Sequence, residues 1–313
     1  KFEVKRWNIP AKVYSQPLAL SVGNRLSSAE LDNWLNLLTY AQAKDYESPG
    51  TFTKKNGEYY IHTREFNFSA NNTEPSQIIK LTLKDNQIEK LQSTQPNTAG
   101  VARLAPVLLG GIYPDNNEDR IVVSIQDIPQ PLIDALVATE DRSFYQHHGV
   151  SIRGIGRAVY SNVRGGARQG GSTITQQLIK NFYLSSDRTL KRKANEAVMA
   201  ILLELHYSKN DILQTYINEI TLGQNGNHSI NGFGLASQFY FNRPLKELRI
   251  DQMAMLVGLA KGPTQYNPLR YPEAALKRRN IVLSNMQVTG KISQQQYEEA
   301  SQRPLDIVHN PVI

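Results

Sequence analysis

A chain of 313 residues, 40% apolar and with a formal net charge of +7, is long enough for two ordinary domains and favours an anionic partner: phosphate, an anionic headgroup or nucleic acid. The absence of cysteine excludes disulfide staples and thiol chemistry and fits an oxidising compartment such as a periplasm. No apolar run approaches the ~18 residues of a membrane span, and the charged opening Lys1-Phe2-Glu3-Val4-Lys5-Arg6-Trp7 lacks the apolar centre of a secretory signal.

Residues 14–91 predict a small unit of one helix on an antiparallel sheet. Ser27-Ser28-Ala29-Glu30 has the spacing of a capping box, and Leu31, Trp34, Leu35 and Leu38 follow at the period of one helical face. Asn56-Gly57 lies between two β-prone runs, and Asp85-Asn86 separates a second pair, so each predicts a hairpin turn. Nothing in this unit has a catalytic pattern. Residues 92–128 read as a connection, first polar and Pro-containing, then strand-like. From Pro129 the pattern turns helical and stays so to about residue 302, with Pro131 at a helix start and later helices at 191–205, 211–220, 232–241, 250–260 and 272–288. Residues 303–313 read as an exit linker. The chain begins without Met, so upstream sequence is expected. The fold class is α+β: a small helix-plus-sheet domain followed by a mostly helical one.

The chemistry concentrates between residues 138 and 196. Glu140 and Asp141 follow an apolar helix and precede Phe144, a setting in which an acid can serve as a base. The plain alternative is a solvated helix end with Arg142 as partner. Gly170-Gly171-Ser172-Thr173 then opens a helix carrying Thr173, Gln176 or Gln177, and Lys180 on one face, with Asn181 next. Glycines allow close approach, Ser172 or Thr173 can cap the helix, and first-turn amides bind anions. An ordinary capped helix with a polar outer face remains the alternative. A nucleotide P-loop does not fit, because Gly171 stands where the phosphate lysine must be. Arg192 and Lys193 sit one turn before Glu196, which is either a surface ion-pair ladder or part of an anion cradle. The six histidines show no metal-ligand spacing, and no Ser-x-x-Lys or Gly-x-Ser-x-Gly occurs. The picture is of an unpartnered acid at 140 facing a cationic pocket for a diphosphate.

Taken together, Glu140-Asp141-x-x-Phe144-x-x-His147-x-Gly149, Gly170-Gly171-Ser172-Thr173-Ile174-Thr175-Gln176-Gln177, Arg192-Lys193-x-x-Glu196, Lys209 to Asn218 and Gly232 to Phe241 resemble the ordered motifs of the peptidoglycan glycosyltransferases, glycosyltransferase family 51. This is the chain-polymerising domain of class A penicillin-binding proteins. Gln214 stands where an acid is usual, and Tyr266-Asn267-Pro268 and Arg278-Arg279 extend the match. The resemblance implies a lysozyme-like helical domain, preceded in Gram-negative members by an accessory domain of the UB2H type in the place of residues 14–91.

It implies, further, that lipid II and the nascent glycan chain are the substrates. Glu140 would be the general base and Glu196 a second catalytic carboxylate orienting the cations or the acceptor. Asp141, Phe144, His147, Ser172, Thr173, Gln176, Gln177, Lys180, Asn181, Arg192 and Lys193 would line the substrate and diphosphate site. No cofactor is required, a divalent cation being left open. The domain would work on the membrane at the periplasmic face of the inner membrane, sensitive to moenomycin, with its anchor upstream and a transpeptidase domain downstream of this chain. The accessory domain would dock an outer-membrane lipoprotein activator. A lysozyme-like muramidase or lytic transglycosylase is the nearest alternative, but it needs no diphosphate cradle. A nucleic-acid-binding module would want aromatic platforms among its cations, and none interleave Lys180 to Lys193, so no nucleic-acid partner is expected.

Overall fold

The computed structural model describes residues 11–43, 46, 48–69, 72–94, 100–112, 121–151, 154, 156, 171–183, 189–226 and 228–308. Contacts divide the chain into two compact units, one of residues 10–115 and one running from residue 116 onward.

The first unit begins with β1 (Ala11–Tyr14) and β2 (Leu18–Ser21), followed by helix α1 (Ser28–Leu37). Ser27 caps α1 by accepting from the Glu30 amide, and the Glu30 carboxylate accepts in return from Ser27, so the predicted capping box is formed. Strands β3 (Ala41–Gln42), β4 (Thr51–Lys55), β5 (Glu58–His62), β8 (Ile78–Lys84) and β9 (Gln87–Ser93) make a five-stranded sheet in that order. The short hairpin β6 (Phe66–Ser69) and β7 (Asn72–Glu74) stands apart. Leu31 and Leu35 of α1 share one core with Tyr59, Ile61, Ile79 and Leu81 of the sheet. Both predicted turns are present: Asn56 and Gly57 take φ of 53° and 77°, Asp85 and Asn86 of 52° and 58°. Such two-residue turns match strand twist, and these residue types reach positive φ at little cost.

Strands β10 (Val101–Leu104) and β11 (Leu108–Ile112) return to the start of the chain, β10 pairing with β2 and β11 with β1, both antiparallel. Residues 101–112, read above as part of a connection, thus belong to the first unit.

In the second unit α2 (Gln130–Glu140), α7 (Ile250–Ala260) and α8 (Pro272–Val288) pack on one another. The helices α3 (Ile174–Tyr183), α4 (Leu190–His206) and α5 (Lys209–Glu219) form a second group, α3 touching both others. Between α5 and α7 in sequence lie the hairpin β12 (Thr221–Asn225) and β13 (His228–Asn231) and helix α6 (Phe233–Phe241). One apolar core contains residues of all these elements. Helix α7 is apolar almost all round and buried from Asp251 to Leu259, as a central helix must be. The hairpin β12–β13 and α9 (Gln294–Gln302) were not expected. Helix α9 buries only Ala300, so no apolar stripe announces it, and its own capping box, Ser293 with Gln296, marks its start.

Residues 303–308 are not a free linker. Arg279 donates to the carbonyls of Ser301 (2.8 Å), Arg303 (2.7 Å) and Pro304 (3.3 Å). Arg249 pairs with Asp306 at 2.6 Å, and the Val308 amide donates to Tyr240 at 2.9 Å. Buried donors need acceptors, and this segment supplies them. Residues 309–313 of the expected linker lie outside the described residues.

Candidate active site

Helix α2 buries Leu132, Ile133, Ala135, Leu136 and Ala138 and ends at Asp141, which leaves Glu140 on its last turn. The Glu140 side chain is 13% exposed. It is not unpartnered. Arg278 Nη2 of α8 lies 3.2 Å from Oε1, and Gln177 Nε2 of α3 donates to Oε2 at 3.1 Å. Arg142, the partner of the plainer reading, turns instead to the Ala138 carbonyl and Asn285. Gln177, expected at the diphosphate site, thus contacts Glu140. Its Oε1 in turn accepts from the Tyr216 hydroxyl of α5 at 2.8 Å.

Asp141 is engaged within the unit. Its buried carboxylate accepts the Ile174 amide at 3.1 Å and stands 2.8 Å from His147 Nε2. His147 Nδ1 lies 3.4 Å from Lys209 Nζ, which pairs with the buried Glu204 at 2.6 Å. Glu204 also accepts from Thr175 of α3 at 2.5 Å. Phe144 is fully buried, with the Lys209 ammonium 4.6 Å from its ring centre. Asp141, Phe144 and His147, read above as substrate-binding, thus tie α2 to α3, α4 and α5 from beneath. Gly149 completes the motif by close approach. It sits at φ 87°, and a Cβ there would fall 2.6 Å from the Ala200 backbone of α4.

The start of α3 is likewise spoken for. Thr173 and Gln176 form a reciprocal cap: Gln176 Oε1 accepts the Thr173 amide at 3.0 Å, and Thr173 Oγ1 accepts the Gln176 amide at 3.1 Å. Thr173 also donates to the Gly149 carbonyl at 2.7 Å. With the Ile174 amide on Asp141, the protein itself supplies the anion that this helix terminus attracts. The Thr173 and Gln176 side chains, expected to face a ligand, are buried and engaged in this cap. Lys180 and Asn181 are exposed, whereas Gly170 lies outside the described residues.

Ser172 remains available, and Lys193 Nζ donates to its Oγ at 2.7 Å. Thr189 caps α4 through the Arg192 amide, which sets Arg192, Lys193 and Glu196 on one face. Glu196 Oε2 lies 3.3 Å from Arg192 Nη1, and its Oε1 pairs with Lys193. Only 2% of the Glu196 side chain is exposed, so this is no solvated ladder. It holds two cations in place and leaves them one net positive charge. Arg192 Nε is buried with no partner among the described residues, a donor in need of an acceptor.

One short helix therefore joins two chemistries. At its entrance Ser172 meets Lys193; five residues on, about 8 Å along a helix axis, Gln177 meets Glu140. Arg278 and Tyr216 were missed as site residues. Each was quoted within a motif, but their contacts with Glu140 and Gln177 cross sequence distances that no local pattern reports.

Two family models match the chain: one described as Transglycosylase over residues 107–287, and one described as Bifunctional transglycosylase second domain over residues 20–104. Penicillin-binding protein 1B of Vibrio cholerae is 45% identical over 309 residues, covering 98% of this chain and 40% of that protein. Those of Haemophilus influenzae and Escherichia coli K12 are 43% and 41% identical, again over 98% of this chain and over 39% and 36% of their own lengths. The chain thus spans about two fifths of the length of these relatives.

Proposed function

Because the chain belongs to the transglycosylase family, we propose that its helical unit is a peptidoglycan glycosyltransferase that polymerises lipid II into β-1,4-linked glycan. Glu140 takes the proton of the acceptor's GlcNAc 4-hydroxyl as that oxygen attacks the anomeric carbon of the lipid-linked donor chain. The new C–O bond forms with inversion as the bond to the diphosphate breaks, and the electron pair leaves with the lipid diphosphate. That leaving group needs no protonation. It needs its charge met, which suits Lys193, Arg192 and Ser172, with Lys180, exposed on the last turn of α3, as a further cation. Glu196 keeps the two cations aimed.

The observation that carries this reading is the span of α3, with a held carboxylate at one point and a cation-bearing entrance one and a half turns away. A lysozyme-like hydrolase would have use for the first only. Supplying labelled lipid II and finished peptidoglycan in separate reactions decides between them. Polymer from lipid II, blocked by moenomycin, is the expected result; cleavage of peptidoglycan with no polymer from lipid II contradicts it.

The work would take place on a membrane surface, at the periplasmic face of the inner membrane. Val198, Ile201, Leu202 and Leu205 of α4 are 41–71% exposed and recur at i, i+3, i+4, i+7, an apolar stripe on one helix face. Among the described residues no helix is long and apolar enough to cross a membrane. The unit of residues 10–115 would dock an outer-membrane lipoprotein activator, a role that the match to an accessory second domain supports. A pull-down that retains the activator after that unit is deleted would dispose of it.

A further inference from the structure

A general base must be aimed as well as ionised, and the surroundings of Glu140 do more than neutralise it. Arg278 is buried. Its aliphatic stem packs on α7 so closely that a Cβ at Gly258 would sit 3.0 Å from its Cγ. Its Nε lies 3.5 Å from the Gly258 carbonyl, and its guanidinium 5.9 Å from the Tyr266 ring centre. A side chain held along its length presents Nη2 to Oε1 in one direction only.

The other oxygen is set by a relay. A carboxylate only accepts, so Gln177 must turn Nε2 toward Glu140 and Oε1 away from it. Oε1 then needs a donor, and the Tyr216 hydroxyl, 2.8 Å away, provides one. Tyr216 is fully buried, and burial first, then the charge of Glu140, pushes its pKa well above the ordinary tyrosine value, so it keeps its proton. A flipped Gln177 would face oxygen to oxygen. The carboxylate thus decides which end of the amide faces it, and the hydroxyl, donating to the other end, holds the amide in that orientation.

We infer that Arg278, Gln177 and Tyr216 are positioning residues for the reaction, Tyr216 acting on Glu140 at one remove through Gln177. The inference rests on the reading of Glu140 as general base. It makes a demand that a merely structural hydrogen bond does not: Tyr216 matters to turnover only while Gln177 is present.

The test is a double-mutant cycle on kcat in the full chain with labelled lipid II, using Tyr216→Phe, Gln177→Leu and the pair, with Glu140→Gln alongside. Tyr216→Phe should lower kcat about tenfold, with KM and moenomycin affinity unchanged. Gln177→Leu should lower it as much or more, and the pair no further than Gln177→Leu alone. Arg278→Lys should recover part of the rate that Arg278→Met loses. Wild-type kcat for Tyr216→Phe, or additive losses in the pair, overturns the inference while leaving the base in place if Glu140→Gln is inactive. An active Glu140→Gln overturns the base reading instead. Thermal unfolding of each variant identifies any that fails by unfolding; Arg278→Lys against Arg278→Met, measured on folded protein, then carries the decision, and equal rates for those two overturn the inference.

Discussion

Lys193 Nζ stands 2.7 Å from Ser172 Oγ, joining α4 to the entrance of α3. The ammonium is partly exposed while its carboxylate partner Glu196 is sealed, so the free side of the cation looks outward. Lys193→Ala should weaken moenomycin or diphosphate binding about tenfold, the worth of one charge-assisted hydrogen bond of roughly 1.5 kcal/mol, with the fold intact. A titration by calorimetry checks it; unchanged affinity removes Lys193 from the diphosphate site.

Asp141 should behave in the opposite way. Its carboxylate satisfies the Ile174 amide and faces His147 inside the unit. Asp141→Ala leaves both unpaired and should cost about 3 kcal/mol in chemical denaturation. A variant as stable as wild type but deficient in diphosphate binding would restore Asp141 to the ligand site.

Features set by neighbours in sequence are legible in it. The turns at Asn56-Gly57 and Asp85-Asn86, the cap at Ser27, and helices α7 and α8 follow from neighbours in sequence. The site's outline was also legible, since Glu140 and Lys193 do converge on α3. The direction of the polar groups was not. Whether the Ile174 amide faces a ligand or Asp141, and whether Glu140 is free or held by Arg278, depends on partners 33 and 138 residues away. The fastening of residues 303–308 was hidden for the same reason, because Arg279 spends its donors on backbone carbonyls, which every residue has.

That fastening is testable. Arg279 is almost fully buried, feels the charges of Asp251 and Asp306, and donates to the carbonyls of Ser301, Arg303 and Pro304. Arg279→Leu strands those acceptors. It should cost about 3 kcal/mol and open residues 303–308 to limited proteolysis. Cleavage at the wild-type rate would contradict the fastening.

Alkaline pH should unfold the helical unit through its buried tyrosines. Burial pushes the Tyr240 pKa up to about 12 and that of Tyr216 well above its ordinary value. An unfolded tyrosine titrates near 10, so above that pH the unfolded chain holds fewer protons than the folded one, and stability falls as pH rises. For Tyr240 the loss begins at about pH 10 and reaches about 2 kcal/mol by pH 12. Denaturation midpoints across that window should fall less steeply for Tyr240→Phe; identical slopes would contradict it.

The apolar stripe of α4 predicts a surface effect. Leu202→Glu should reduce flotation with anionic vesicles without lowering the unfolding temperature, because this side chain is half exposed. Undiminished flotation would take α4 out of the membrane contact.

The proposed chemistry turns on one proton. Glu140→Gln keeps the shape of the side chain and removes the base, so polymerisation of labelled lipid II should fall about 10²–10⁴-fold while moenomycin still binds. Glycan chains formed at the wild-type rate by that variant would contradict the account.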